Sequence, residues 1–190
     1  MQAFDHLRLI TARLHLRPLV PTDVDALFAI FSDAAVMSYW STPPWTDRAQ
    51  AVELIATEAA AMAAGQHLRL ALARRDDGAL VGTCSLFAFH AASRRAEIGY
   101  ALARAAWGAG LMAEALDALV ACAFVDLELH RLEADIDPRN TASAKSLVRL
   151  GFVKEGHLRE RWTVSGEVSD AALYGLLRSD WQRRAAAPMR

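Results

Sequence analysis

Apolar and polar residues alternate over residues 7–19, where Leu14, Leu16 and Pro18 interleave with His15, Arg17 and Leu19. A period of two predicts a first strand, ended by Pro21. Thr22 is placed to cap a helix, with Asp25 as its acidic partner and Leu27, Phe28, Ile30 and Phe31 as its apolar positions. Residues 36–45 break the helical period, carry Pro43-Pro44 and read as a loop rich in aromatics: Tyr39, Trp40 and Trp45. Thr46 opens an alanine-rich helix that runs to about Ala64 and stops at Gly65. Residues 68–74, 80–89 and 95–103 read as strands, turned by Asp76-Asp77-Gly78 and Ala91-Ala92-Ser93. Beyond Gly108 and Gly110 a long helix carries Leu116, Leu119, Val120, Ala123, Phe124 and Leu127 at the 3–4 spacing. In residues 130–137 Leu132, Ala134 and Ile136 alternate with Glu133, Asp135 and Asp137, which predicts another strand, stopped by Pro138. Asn140 starts a short helix that Gly151 closes, and residues 152–155, 161–164 and 171–177 are the closing strands.

A strand–helix–strand unit in the middle of this order implies a parallel pair, and the hairpins around it are antiparallel. The expected fold is therefore α/β in the mixed, α+β sense: one mostly antiparallel sheet with a central parallel pair and helices on both faces. The 190 residues suit one domain, taken as residues 1–184, with residues 185–190 as a loose tail.

Composition narrows the function. With 21 basic against 22 acidic residues there is no global positive field, so direct nucleic-acid binding is not expected. The longest apolar run, Ala118 to Val125, is eight residues, far short of a membrane span, and the first residues lack a signal-peptide core. A cytoplasmic protein with no membrane partner is the expectation. Cys84 and Cys122 sit among apolar neighbours and form neither a disulfide framework nor a metal-ligand spacing; no metal is expected.

The tightest glycine cluster, Trp107-Gly108-Ala109-Gly110-Leu111-Met112, lies between a strand and the long helix. Glycines admit close backbone approach, and free amides at a helix start bind anions, so the cluster reads as a phosphate cradle or as a plain helix-start turn. No Gly-Lys-Ser/Thr follows, which excludes a Walker loop. On the preceding strand Ile98, Tyr100 and Leu102 share one face as core, while Glu97, Gly99 and Ala101 share the other, a strip cleared of bulk with a carboxylate at its end. Glu97 is a candidate base, or a strand residue paired with Arg94 or Arg95. Asn140 and Ser143 stand one turn apart at the start of a helix: Asn140 as its cap, Ser143 as a solvated serine or a ligand donor.

Together, Ala96-Glu97-Ile98-Gly99-Tyr100, the run from Trp107 to Ala115, Asn140-Thr141-Ala142-Ser143 and Leu150-Gly151-Phe152 resemble the GNAT superfamily of acetyl-CoA-dependent N-acetyltransferases. Within it they resemble the RimJ/RimL-like branch, which acetylates ribosomal-protein N-termini and a range of small amines. The resemblance implies acetyl-CoA as co-substrate, an amine acceptor, and a central parallel pair that splays. It implies that the amides of Trp107, Gly108, Ala109, Gly110, Leu111, Met112 and Ala113 grip the pyrophosphate. The backbone of Tyr100, Ala101 and Leu102 would pair with pantetheine, and Asn140 and Ser143 would lie near its arm. Many members carry a tyrosine acid seven residues after the asparagine; Leu147 stands there, and in this branch the serine at position 143 is the implied substitute. A homodimer is compatible with the resemblance.

On this reading Glu97 takes a proton from the amine, directly or through water, with Asp170, Glu160 and bulk water as other bases. An amide near Leu102 polarises the thioester carbonyl, and Ser143 protonates or hydrogen-bonds the departing thiolate. Tyr39, Trp40 and Trp45 either wall the acceptor pocket or pack over the sheet edge. A covalent route would need Cys84 or Cys122, neither with an evident base. The rival from another class is a non-catalytic acyl-CoA-binding sensor or interaction module.

Overall fold

The alternating segments become eight strands and the 3–4 patterns become helices in a computed structural model that describes residues 3–186. The strands are β1 (Leu9–Ile10), β2 (Leu14–Pro18), β3 (Leu68–Arg74), β4 (Leu80–His90), β5 (Arg95–Leu102), β6 (Arg131–Ile136), β7 (Val153–Val164) and β8 (Glu167–Leu177). They form one sheet in the order β1-β2-β3-β4-β5-β6-β8-β7. Every neighbouring pair is antiparallel except β5 with β6. The helices are α1 (Val24–Phe31), α2 (Ala34–Met37), α3 (Ala49–Ala63), α4 (Leu111–Val125), α5 (Thr141–Leu150) and α6 (Arg178–Ala186). This is the mixed sheet expected from the sequence.

The pleat sorts side chains to two cores. On β3, Leu68, Leu70 and Leu72 face the larger core with Leu14, Leu16 and Leu86, covered by Leu116, Leu119, Val120 and Phe124 of α4. Ala71 and Ala101 face the other side, where Leu27, Ile30 and Phe31 of α1 and Ile55 of α3 pack. Gly151 closes α5 at φ 103°, the left-handed conformation that glycine adopts without a Cβ penalty.

Five local expectations are corrected. The first strand is a hairpin, because Thr11 turns the chain: its amide donates to Leu14 O at 3.0 Å and its hydroxyl accepts from the Leu14 amide at 3.0 Å. Thr22 does not cap α1. Buried Asp23 accepts the Val20 amide at 2.9 Å and both ends of the Arg17 guanidinium at 2.7 and 2.8 Å, and that buried pair sets the turn. The aromatic loop contains a short helix, α2, capped by Asp33, whose carboxylate accepts from the Ala35 amide at 2.8 Å. The two closing pieces expected at residues 152–155 and 161–164 are one strand, β7, with irregular register at two places and Glu160 at φ 51°. It turns into β8 through Ser165 and Gly166, both with positive φ, as a two-residue hairpin turn requires. Lastly, α6 follows β8, with Trp181 against Phe124 at 5.5 Å between ring centroids. Of the expected tail, residues 187–190 lie outside the described residues.

Candidate active site

β5 pairs with β6 at three positions only: Arg95 with Arg131, Ala96 with Leu132 and Glu97 with Glu133. β5 continues to Leu102 on the register of β4, and β6 continues to Ile136 on the register of β8. Each strand keeps its antiparallel neighbour, so the central pair opens like a wedge. Ion pairs from Glu133 to Arg95 (2.6 Å) and Arg131 (2.8 Å) hold the closed end. A cavity of about 470 Å³ fills the region of the open end, lined on its walls by Glu97, Gly99, Tyr100, Asp135, Asn140 and Ser143.

Glu97 is half-buried there and makes no hydrogen bond or ion pair among the described residues; Arg95, its expected partner, is taken by Glu133. Burial pushes its carboxyl above the ordinary range, and the neighbouring Glu133 and Asp135 push the same way. On the opposite wall, Asn140 is the N-cap of α5: its Oδ1 accepts from the Ser143 amide at 3.0 Å. Ser143 is buried, and its Oγ lies 2.7 Å from the Tyr100 hydroxyl. That bond spans from β5 to α5. Burial pushes the Tyr100 phenol up to about 12, against the pull of Ser143. The tyrosine hydroxyl was invisible in the sequence, where Tyr100 counts as a core residue.

Past the end of β5, the Trp107 indole donates to Leu102 O at 2.8 Å and folds the loop back on the strand. Gly108 and Gly110 both sit at φ 75°, and no side chain caps the start of α4. Nothing lies within 4 Å of where a Gly108 Cβ would stand. The amides of the first turn of α4, from Leu111 through Ala113, thus begin the helix without a protein side chain to satisfy them. Arg13 braces this loop, donating to Ala109 O at 2.8 Å and pairing with Glu114 at 2.7 Å. The sequence reading missed Arg13, which lies about a hundred residues away in the chain.

The aromatics divide. Tyr39 and Trp40 line the cavity; Trp45 does not. Its ring packs on Phe31 at 4.7 Å and its amide donates to Phe31 O at 2.9 Å, which fastens the loop to α1. Asp170 and Glu160 also stand outside the cavity lining, in a bulge where Asp170 accepts from the Glu160 amide at 2.8 Å and meets His157 Nε2 at 2.8 Å. Cys84 and Cys122 are buried, and burial pushes both thiols up to about 12, so neither is a thiolate at neutral pH. Residues that sequence reasoning did not select complete the lining, among them His67, Arg69, Arg139 and Trp162. Among the described residues no three His, Cys, Asp or Glu side chains gather as metal ligands, and no helix is long and apolar enough to cross a membrane.

The family pattern of the acetyltransferase (GNAT) domain matches residues 13–153. The N-acetyltransferase p20 of Bacillus licheniformis is 36% identical over 173 residues, which cover 91% of this chain and 97% of p20. The [ribosomal protein uS5]-alanine N-acetyltransferase of Escherichia coli is 36% identical over 84 residues, 44% of this chain and 43% of that enzyme. The structure of Mycobacterium smegmatis RimJ in complex with CoA-disulfide matches with a TM-score of 0.79 at 25% identity, covering 88% of this chain and 86% of RimJ.

Proposed function

The chain belongs to the GNAT acetyltransferase family, and from that premise we propose that it transfers an acetyl group from acetyl-CoA to a primary amine by direct attack in a ternary complex. The acceptor is a protein N-terminal α-amine or a small-molecule amine. The observation that carries the reading is the wedge between β5 and β6, with an unpaired carboxylate on one wall and a hydroxyl pair on the other.

The start of α4 fits the pyrophosphate. Two positive-φ glycines and an uncapped helix N-terminus present amides and the positive end of the helix dipole. In this reading Gly108, Ala109, Gly110, Leu111, Met112 and Ala113 hold the diphosphate with Trp107 beside it. The open edge of β5 at Tyr100, Ala101 and Leu102 pairs with the pantetheine arm. The bound thioester supplies the activated acetyl group. Asn140 holds α5 in place through its cap, which fixes Ser143 at the cavity wall.

Glu97 accepts a proton from the amine, directly or through one water. An ordinary alkylammonium has a pKa near 10.4 and an α-ammonium near 8, so a carboxylate raised by burial is the better-matched acceptor. Ser143 and Tyr100 face the leaving sulfur. Tyr100 holds its proton to about 12, and a thiolate of ordinary pKa near 8.5 is too weak a base to take it. The pair therefore acts by hydrogen-bond donation to the thiolate, with Tyr100 orienting Ser143. Tyr39 and Trp40 wall the acceptor. A cytoplasmic enzyme, a single domain over residues 1–184 and a homodimer are parts of the same reading.

Thiol release from acetyl-CoA, measured against N-terminal peptides, polyamines, aminoglycosides and free amino acids, tests the proposal. Amine-dependent release supports it; tight CoA binding with no release for any amine replaces it with an acyl-CoA-binding module. Glu97→Gln lowers kcat by about 10²-fold, the usual scale for a general base. It also removes the acidic limb of the pH–rate profile. That limb lies above the ordinary carboxylate range in the parent enzyme, with activity falling as pH drops through the raised pKa and Glu97 becomes protonated.

A further inference from the structure

Two charged groups of the cavity lining keep hydrogen-bonding capacity that the protein does not use. Asp137 and Glu167 are both bound by Arg139, at 2.6 and 2.7 Å. Asp135 lies 3.7 Å from Arg161. His67 has its pKa lowered to about 4 by burial and so is neutral near pH 7. The two that can still take a ligand are Glu97, which has no partner among the described residues, and Arg69, which is paired with Glu58 through one nitrogen only. The Arg69 guanidinium gives its Nε to buried Glu58 at 2.8 Å, while its two terminal nitrogens make no hydrogen bond among the described residues. A guanidinium has five N–H donors and can hold a second carboxylate on its outer edge.

The sheet sets their spacing. Arg69 on β3 stands opposite Ser85 on β4, which stands opposite Gly99 on β5. Two strand steps of ~4.8 Å therefore separate Arg69 from Gly99, and Glu97 lies two residues, or ~7 Å, further along the same face. The floor between them is Ser85, Gly99 and the Phe87 ring, which packs over Gly99: a Cβ there would stand 3.1 Å from Phe87 and 3.3 Å from the Ser85 hydroxyl. The unpaired Glu97 carboxylate and the unused terminal nitrogens of Arg69 thus face one cavity.

We propose that the acceptor is a small zwitterion, a primary amine that carries its own carboxylate, with the amine at Glu97 and the carboxylate on the terminal nitrogens of Arg69. This rests on the transferase reading and narrows its acceptor. A polyamine would bring a second ammonium toward Arg69, like charge against like. A peptide N-terminus without a carboxylate nearby would leave the guanidinium's terminal nitrogens unused.

The test uses the full chain, acetyl-CoA and thiol release. The acceptors are the twenty free amino acids, the primary amides and decarboxylated amines of those that turn over, spermidine, and peptides beginning with Ser or Asp. The expected result is that at least one free amino acid exceeds its amide and its decarboxylated amine in kcat/KM by about 10- to 100-fold, the scale of a charged hydrogen bond. Arg69→Gln narrows that ratio toward one through KM, and Arg69→Lys keeps part of it. The substrate series is read on the unmodified protein, so it stands even if Arg69 variants fold poorly. Equal or better turnover of the amides, of spermidine or of the peptides overturns the inference and leaves the transferase standing. No release with any amine overturns the transferase reading and the inference together.

Discussion

Tyr100 and Ser143 touch through a 2.7 Å hydrogen bond that no sequence spacing announces, because the two residues come from a strand and a helix 43 positions apart. Ser143 was legible as a candidate from its place one turn into a helix. Its partner was not, since reading Tyr100 as core accounts for its ring and says nothing of its hydroxyl. The pair makes a specific prediction. Ser143→Ala lowers kcat by about 10- to 100-fold, the scale of a hydrogen bond to a charged group, while CoA affinity by calorimetry changes little. Tyr100→Phe has a loss of similar order, and the double variant is no worse than the worse single one, because the two hydroxyls act as a unit. Additive losses would separate them into independent roles. Glu97 was legible for a different reason: it ends a strip of small residues, and a carboxylate there needs no knowledge of the sheet order. Arg69 does need it, since it joins the site through the register of β3, β4 and β5.

At the level of elements, the start of α4 depends on backbone that only glycine adopts cheaply. Gly110→Glu puts a left-handed non-glycine residue at φ 75° and a negative charge at the amides. It is expected to cost about 1–2 kcal/mol of stability and to weaken CoA binding by tenfold or more. Gly78→Ala is the control. It sits at φ 74° in the β3–β4 turn, so thermal denaturation should show a comparable loss with CoA affinity unchanged. Equal CoA affinity in both variants would remove the cradle. Most elements were legible because their periods are clean. The failures fall where a polar side chain decides the chain path: Thr11 folding one strand into a hairpin, Asp23 displacing Thr22, Asp33 capping α2. Each competes with periodicity through one local hydrogen bond, and the sequence shows several residues equally able to make it.

Across the whole molecule, Glu58, His67 and Arg69 tie α3 to the start of β3 beside the cavity. His67 is held neutral, with its pKa lowered to about 4 by burial and then by Arg69. Between its ordinary value of about 6.5 and 4 the unfolded chain binds the proton and the folded chain does not, so this residue's contribution to stability falls as pH falls. Glu58 is displaced upward by burial and acts in the opposite sense, favouring the fold at low pH. In His67→Asn the acid-side loss from the histidine disappears. Chemical denaturation from pH 6.5 to 4 should then show stability falling less steeply, or rising, with acid; an unchanged slope would mean that His67 is not desolvated as its position indicates. The three-residue ladder between β5 and β6 bears on how the chain is made. The antiparallel pairings of strands β1 to β5 are all with one another, by hairpins and one longer return, so a nascent chain has every antiparallel partner of that half once Leu102 has left the ribosome. The helix that covers the leucine face of that half is the next element synthesised, and the strand that abuts its open edge follows. For the interval between, a growing polypeptide carries a bare apolar surface and an unpaired strand edge together, the combination that recruits chaperones or neighbouring chains.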